Sequence, residues 1–190
     1  MTGQETATLN LLISPHNDDE TLFTAYTLCA ERETIQVVVV FDGYIQTLRG
    51  EPVTHLKRHA ETLAAMKELG VVHTPIFGEC NDAQPAWERV ENLFRGLRSS
   101  FDPVTTYIPW QEPGGHEQHN MVGRIAERIF NRCTHYTTYS RTGKTIGSRV
   151  VIPEPDWIAR KHRALACYTS QIRVENCREH FTRDMREYYA

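Results

Sequence analysis

The run IQVVVVF at residues 35–41 constrains the fold more than any other feature of the sequence. It consists mainly of β-branched residues and has no polar face, a pattern typical of a central strand that is buried on both sides. Other apolar runs that read as strands lie at residues 8–14, 73–78 and 104–109. Such strands need partners on both faces, so the sequence predicts an α/β domain with a largely parallel sheet.

Amphipathic stretches between the apolar runs predict the helices. They lie at residues 20–30, 54–69, 85–99 and 118–131. Alternation of this kind is typical of βαβ units with right-handed crossovers. In the second helix, Thr54 is suited to cap the start and Gly70 to end the last turn. We expect one apolar stripe on this helix, made of Leu56, Ala60, Leu63, Ala64 and Leu69.

The last third of the chain has weaker signals. Two strands are expected at residues 135–140 and 148–153, on either side of a turn-like RTGK segment at residues 141–144. A helix is expected at residues 157–170, and a polar helical tail follows it. No linker or repeat divides the sequence, so we assign residues 1–190 to one domain.

Composition and charge limit the class of protein. The 190 residues, 40% apolar and 24% charged, have the balance of a globular domain. A net charge of -3 argues against a nucleic-acid-binding surface. The first ten residues do not resemble a signal peptide, and no run approaches the ~20 apolar residues of a membrane span. Five cysteines without CxxC spacing favour a reducing, cytoplasmic location over a disulfide framework.

Histidines and acids cluster after two of the predicted strands. PHNDDE at residues 15–20 follows the first strand, and HEQH at residues 116–119 comes soon after the strand at 104–109. Parallel strands bring their carboxyl ends to one edge of the sheet, where α/β proteins bind ligands. Both segments are therefore expected at the same edge.

Each segment has a simple structural interpretation when it is taken alone. Acids at residues 18–20 stabilise a helix start, and an isolated HxxH is most often exposed to solvent. Together the segments supply imidazoles and a carboxylate, a combination that suits a borderline cation such as Zn²⁺ and leaves a position for water. A spare carboxylate beside that water is suited to act as general base. The two segments therefore predict a catalytic divalent-metal site.

These motifs resemble those of the GlcNAc-phosphatidylinositol de-N-acetylase (PIG-L/LmbE-like) family. The family hallmark is a [PA]-H-P-D-D-E loop after the first strand and a later H-x-x-H. Similar features here are FDG after the second strand, the RxxE spacing of Arg58 and Glu61, and KHRALACYTSQ near the C-terminus. The resemblance covers roughly residues 8–171 and implies a Rossmann-like three-layer α/β/α fold with a mostly parallel sheet.

The resemblance also implies a role for individual residues. His16, Asp19 and His119 match zinc ligands, although another divalent metal such as Fe²⁺ is an alternative. Asp18 matches the general base, and His116 matches the histidine that stabilises the oxyanion or protonates the leaving group. The implied reaction is hydrolysis of an N-acetyl group on an amino sugar to acetate and a free amine.

Three further residues near these motifs have expected roles. Arg58 matches a substrate-side arginine of the family, although a basic residue on an amphipathic helix is as often solvated. Trp110 precedes the HxxH segment and is suited to stack on a sugar ring. Glu20 is assigned to the helix start.

Four departures from the family pattern leave the substrate open. Asn17 replaces the usual proline, and Gln118 stands where an aspartate is frequent, so Glu117 is the alternative source of charge beside His116. Tyr44 and Tyr168 replace a common glutamate and histidine, and we expect both near the substrate. The N-acetylated compound is left open among a free sugar, a nucleotide sugar, a lipid or inositol conjugate, an antibiotic intermediate and a modified polymer.

Two other functions compete with deacetylation. A different metal-dependent hydrolase, such as a phosphoesterase, would be favoured by a second metal, but few further acids lie near these segments. A catalytically silent sugar-binding or regulatory domain is the other alternative. Asp18 argues against it, because a structural zinc site closes its fourth position with a protein ligand. The sequence leaves the oligomeric state open.

Overall fold

The computed structural model describes residues 9–44, 52–138, 147, 149–172 and 186–190. Within these ranges the chain forms a seven-stranded sheet with helices on both faces. The elements are β1 (Asn10–Ser14), α1 (Asp19–Ala30), β2 (Ile35–Phe41), α2 (His55–Leu69), β3 (Ile76–Cys80), α3 (Trp87–Ser100), β4 (Thr106–Pro109), α4 (Glu117–Ile129), β5 (Cys133–Tyr136), β6 (Arg149–Val151), α5 (Pro155–Ala166), α6 (Thr169–Ile172) and β7 (Glu187–Tyr189).

The sheet has the strand order β3-β2-β1-β4-β5-β7-β6. Strands β1 to β5 are parallel, whereas β7 lies antiparallel between β5 and β6. The chain adds β2 and β3 on one side of β1 and then crosses to add β4 on the other side. A crevice at the carboxyl ends of β1 and β4 is the usual ligand position in such sheets.

Two apolar cores, one on each face of the sheet, hold the three layers together. Along β1, Leu11 and Ile13 point into one core and Leu12 into the other, as the two-residue period of a strand requires. The first core packs the sheet against α3 and α4, and the second packs it against α1, α2 and α5. Strand β2 is buried along its whole length, as its sequence predicts. The three-layer, mostly parallel α/β fold is confirmed.

Helix α2 has the predicted ends but not the predicted stripe. Thr54 Oγ1 accepts a hydrogen bond from the backbone N–H of Lys57 at 3.3 Å, and Gly70 ends the helix with a left-handed φ of 81°. Leu56 and Leu63, however, are 69% and 43% exposed, and Ala60 and Ala64 are exposed as well.

The buried face of α2 contains charged residues. Arg58 and Glu61 are buried beside Leu69 because polar groups from other elements contact both side chains. An apolar stripe therefore does not identify the inner face of this helix.

The C-terminal region also departs from the expected pattern. The expected helix at residues 157–170 breaks at Cys167 and Tyr168 into α5 and α6. The final residues of the expected helical tail form β7, in which Tyr189 pairs with Tyr136 of β5. Residues 141–144 and 173–185 lie outside the described residues. No helix in the described part of the chain has the length and apolar character needed to cross a membrane.

Candidate metal centre

The loop between β1 and α1 holds Asp18 in an unusual conformation. Asp18 precedes the first turn of α1, but its side chain makes no capping hydrogen bond. Its backbone φ is 129°, in a region that residues with side chains rarely adopt. Glu20 Oε2 accepts hydrogen bonds from the Asp18 backbone N–H at 3.1 Å and from the Ser14 hydroxyl at 3.0 Å. Glu20 thus fixes the conformation of the loop, a larger role than the helix start expected for it.

Tyr168 supports the same loop from the α5–α6 junction. Its side chain is fully buried, and its hydroxyl donates a hydrogen bond to Glu20 Oε1. The hydroxyl also lies 3.0 Å from Thr21 Oγ1. Tyr168 therefore packs beneath the loop and supports it, and the expectation that it lies near the substrate stays a prediction.

Three donor atoms from the two predicted segments converge at the carboxyl edge of the sheet. His16 Nδ1 lies 3.0 Å from Asp19 Oδ2 and 3.1 Å from His119 Nε2, and the last two atoms are 3.0 Å apart. Donors that share one tetrahedral Zn²⁺ at ~2.0–2.1 Å stand about 3.3 Å apart, so the spacing fits one small cation. The structure thus brings together the three residues that the sequence predicts as ligands.

His116 lies beside this donor cluster at the start of α4. Its ring centroid is 4.7 Å from that of His119 and 5.2 Å from that of His16. Ligand atoms of the three histidines lie within 4.8 Å of one another. His116 is therefore close enough to reach an atom bound at the cluster.

The buried charges of the cluster shift the pKa values of Asp19 and His16 in opposite directions. Burial alone would raise the pKa of Asp19, but the charges and hydrogen bonds of His119 and His16 outweigh burial and hold it well below its usual range. Burial alone would lower the pKa of His16, but Asp19, Asp82 and Gln118 raise it to about 9. A proton on the His16 imidazole thus offsets the charge of the buried Asp19 carboxylate.

Asp18 and Arg58 form a buried ion pair next to the cluster. Asp18 Oδ2 lies 3.3 Å from Arg58 Nη2, which also donates to the backbone carbonyl of Asn17. Burial raises the pKa of Asp18 to about 7, although the charge of Arg58 opposes the shift. Arg58 is only 2% exposed and contacts the loop directly.

Gly43, in the FDG segment after β2, lies against Asn17 and Arg58. A Cβ atom on Gly43 would come within 2.5 Å of Asn17 Oδ1 and 3.2 Å of Arg58 Nε, and the glycine also has a φ of 67°. A residue with a side chain would therefore displace the loop. Asn17, in place of the usual proline, is fully buried and donates a hydrogen bond to Thr62 of α2 at 3.2 Å.

The RxxE spacing of α2 joins two parts of the molecule. Whereas Arg58 reaches the loop after β1, Glu61 accepts hydrogen bonds from the hydroxyls of Thr169 and Ser170 and from the backbone N–H of Ser170. Helix α2 thus connects α6, which follows Tyr168, to the loop that carries Asp18.

The remaining predicted residues, Trp110 and Tyr44, follow the carboxyl ends of β4 and β2. Trp110 packs edge-on against His135 of β5, with 5.2 Å between ring centroids, so its stacking on a sugar stays a prediction. Tyr44 is 41% exposed. A cavity of about 640 Å³ opens beside the start of α4, and its lining includes His116 and Gln118.

Sequence reasoning missed two residues that contact the cluster. Asp82 follows β3 and lies 3.7 Å from His16 Nε2, and Thr138 Oγ1 lies 3.1 Å from His119 Nδ1. Asp82 follows a parallel strand, so the rule that singled out His16 would also have found it. Gln118, expected beside His116, contacts His16 instead, at 2.7 Å.

Fold and site together define a three-layer α/β protein with a candidate metal centre at the carboxyl edge of a parallel sheet. The sequence matches the GlcNAc-PI de-N-acetylase (PIG-L) family over residues 11–130. The chain therefore belongs to the GlcNAc-PI de-N-acetylase family. No curated protein matches it in sequence.

Three solved structures share the fold. A deacetylase triple mutant involved in the teicoplanin biosynthetic pathway has 23% identity and a TM-score of 0.72, covering 92% of this chain and 88% of that chain. N,N'-diacetylchitobiose deacetylase from Pyrococcus horikoshii has 18% identity and a TM-score of 0.69, covering 97% and 84%. GalB, the 4-carboxy-2-hydroxymuconate hydratase from Pseudomonas putida KT2440, has 14% identity and a TM-score of 0.66, covering 92% and 83%. The fold therefore accommodates more than one reaction.

Proposed function

We propose that the protein is a zinc-dependent N-deacetylase that hydrolyses the acetamide of an N-acetylated amino sugar, of N-acetylglucosaminyl type, to acetate and a free amine. The observation that carries this proposal is the convergence of His16 Nδ1, Asp19 Oδ2 and His119 Nε2 next to the Asp18 carboxylate. Membership of the de-N-acetylase family and the shared fold with two deacetylases support it.

The donor set fits a borderline divalent cation, because it combines two imidazoles with one carboxylate. His16, Asp19 and His119 would hold Zn²⁺, and Fe²⁺ is the second candidate. A cation held there would supply Lewis-acid chemistry, lowering the pKa of a water molecule and polarising the acetamide oxygen.

Asp18 is suited to move the proton of the attacking water. Its pKa of about 7 lets its carboxylate accept a proton near neutral pH and return it to the departing amine. Arg58 and Glu20 hold its side chain and backbone in place. Arg58 thus supports the base, and a contact with substrate is an additional, untested role.

His116 is suited to stabilise the charge that develops on the acetamide oxygen. It begins α4 next to His119 and lines the cavity beside that helix. A positioned donor of this kind stabilises the transition state because charge forms where the donor already points. The same imidazole is an alternative proton donor to the leaving amine, and the sugar would occupy the cavity that His116 lines. Stacking of Trp110 on the sugar ring stays a prediction.

The competing functions have weaker support. Among the described residues one cluster of potential ligands stands out, whereas a two-metal phosphoesterase needs a second set. A silent binding domain has no use for Asp18 in a strained conformation beside the cluster. The hydratase with the same fold shows why the reaction itself must be assayed.

The test combines metal analysis with acetate release from a panel of N-acetylglucosaminyl compounds. We expect Asp18→Asn to retain the metal and lose on the order of 10²-fold or more of turnover, because the general base is removed. His119→Ala should lose the metal. Full acetate release by a chelated, metal-free sample would contradict the proposal, as would a metal-loaded protein that cleaves none of the panel.

A further inference from the structure

The loop after β3, which lies outside the predicted motifs, is linked to His16 by the side chain of Gln118. Gln118 Nε2 donates hydrogen bonds to Asp82 Oδ1 at 2.6 Å and to the Asp82 backbone carbonyl at 2.8 Å. Gln118 Oε1 lies 2.7 Å from His16 Nε2. The Asp82 backbone N–H donates in turn to Asp42 Oδ1 at 3.2 Å. The loops after β1, β2 and β3 and the start of α4 are thereby joined.

This arrangement sets the orientation of the Gln118 amide. An amide group has an NH₂ donor on one side and a carbonyl acceptor on the other. Asp82 presents two acceptor oxygens and no donor to the NH₂ group, so the carbonyl oxygen of Gln118 must face His16. The orientation follows from the hydrogen bonds alone.

The orientation of Gln118 then determines which nitrogen of His16 is free. A carbonyl oxygen only accepts, so His16 Nε2 must carry a proton and donate it. In the neutral ring the lone pair is therefore on Nδ1, the atom that faces Asp19 and His119. His119 differs, because its Nδ1 faces the hydroxyl of Thr138, which both donates and accepts and imposes no such choice.

We infer that Asp82 and Gln118 are positioning residues that hold His16 as an Nδ1 metal ligand. The inference rests on the proposed function only in requiring a metal at the donor cluster. Asp82 acts through Gln118, and Gln118 acts on His16. The side chain at position 118 is an amide, and the carboxylate that holds it comes from Asp82 in the loop after β3.

The expected effect is on metal affinity. Removing a group that orients a ligand histidine typically weakens metal binding by 10–100-fold. We expect Gln118→Leu to weaken Zn²⁺ binding by about this factor, and Asp82→Ala to weaken it by a similar or smaller factor. Asp82→Asn, which keeps the shape and the backbone acceptor, should recover much of the loss. Because Asp82 acts through Gln118, the double variant should bind little worse than Gln118→Leu alone.

A matched control contacts the last turn of the same helix, away from Gln118. Gln111 Nε2 donates to Glu127 Oε2 at 2.6 Å, the same kind of amide–carboxylate contact, but on the exposed surface. Gln111→Leu should leave metal affinity unchanged. Thermal unfolding of each metal-free protein shows whether a variant has lost its fold, and if Gln118→Leu unfolds, the pair Asp82→Ala and Asp82→Asn carries the test.

The experiment titrates Zn²⁺ into each metal-free protein in competition with a chromophoric chelator. The visible spectrum of the Co²⁺ form gives a second readout, because it reports ligand geometry and should change in Gln118→Leu but not in Gln111→Leu. If the wild type binds Zn²⁺ and Gln118→Leu binds it equally well, the inference is overturned while the metal site stands. If the wild type binds no Zn²⁺, both the inference and the proposed function fail.

Discussion

Two buried glutamates contact helix α1, and they differ in whether a cationic side chain is paired with the carboxylate. Glu20 lies in the first turn of α1, and Glu187 reaches the middle of the helix from β7. Both are almost completely shielded from solvent, and burial raises the pKa of both. Glu187 is paired with the ammonium group of Lys161 at 2.9 Å. The described part of the chain places no lysine or arginine within ion-pair distance of Glu20, which binds neutral groups.

The partners of Glu187 explain its role in the fold. Helix α1 is interrupted at Thr24, where φ is -139°, and the interruption frees backbone N–H groups in the following turn. Glu187 accepts the N–H of Tyr26 at 2.9 Å, and Lys161 lies over the Tyr26 ring at 4.6 Å. The carboxylate thus caps the second half of α1 and neutralises a buried cation.

The partners of Glu20 belong to the candidate site instead. They are the backbone of Asp18, the hydroxyl of Ser14 and the hydroxyl of Tyr168. The same residue type, in contact with the same helix and at similar burial, therefore stabilises the fold in one place and shapes the candidate site in the other. Glu187 binds the backbone of α1 and the Lys161 ammonium group, whereas Glu20 binds the backbone of Asp18.

Glu187→Ala should have the largest effect, and it should be on stability. The substitution leaves the Lys161 ammonium buried without its carboxylate, and breaking a buried pair in this way costs about 3–5 kcal/mol. Chemical denaturation of the metal-free protein measures the loss. An unfolding free energy within 1 kcal/mol of the wild type, on the order of a normal surface substitution, would contradict the comparison.

Glu20→Ala should cost less stability and more activity. The substitution leaves no buried cation without its carboxylate. We therefore expect the free energy of unfolding to fall by only on the order of 1–3 kcal/mol, the cost of the buried donors that Glu20 no longer satisfies. Asp18 then loses the group that holds its backbone, and displacement of a catalytic group costs on the order of 10²-fold in turnover. Glu20→Gln is the matched control and should retain most of both properties. Acetate release and denaturation are measured on the same samples, and a Glu20→Ala protein with wild-type turnover would refute the assignment.

Tyr168→Phe should have the smallest effect on stability, and it tests directly whether the Tyr168 hydroxyl supports the candidate site. The chain offers a matched pair, because the Tyr107 hydroxyl donates to Glu31 Oε1 at 2.6 Å at the opposite end of α1. Tyr107→Phe removes the hydrogen bond to Glu31, and Tyr168→Phe removes the hydrogen bonds to Glu20 and Thr21, each bond worth about 0.5–1.5 kcal/mol. Only Tyr168→Phe should also lower acetate release. Equal activity of the two variants would show that the Tyr168 hydroxyl does not support the site.

Much of the fold was predictable because it depends on local patterns. The buried run of β2 and the ends of α2 at Thr54 and Gly70 were read from neighbouring residues alone. The antiparallel β7 was not predictable, because a strand of three residues has no periodic signature and is defined by its place between β5 and β6.

The candidate site divides in the same way. The segments PHNDDE and HEQH contain the four potential ligands that the described residues bring together, His16, Asp19, His116 and His119, because two strand ends of a parallel sheet lie at one edge. The contacts behind the ligands were missed or misassigned. Gln118 and Tyr168 were expected near His116 and the substrate, but they contact His16 and Glu20.

Local sequence patterns are sufficient to predict the layered α/β fold, the edge of the sheet that carries the candidate site and the donor atoms available there. Packing between distant segments determines which face of α2 is buried, which nitrogen of His16 faces Asp19 and His119, and which buried glutamate stabilises the fold. Periodicity and turn chemistry are readable in the sequence because they act between neighbours in the chain. A buried polar group instead takes the hydrogen-bond partners that packing supplies, and for Glu20 the partner Tyr168 is 148 residues away in sequence.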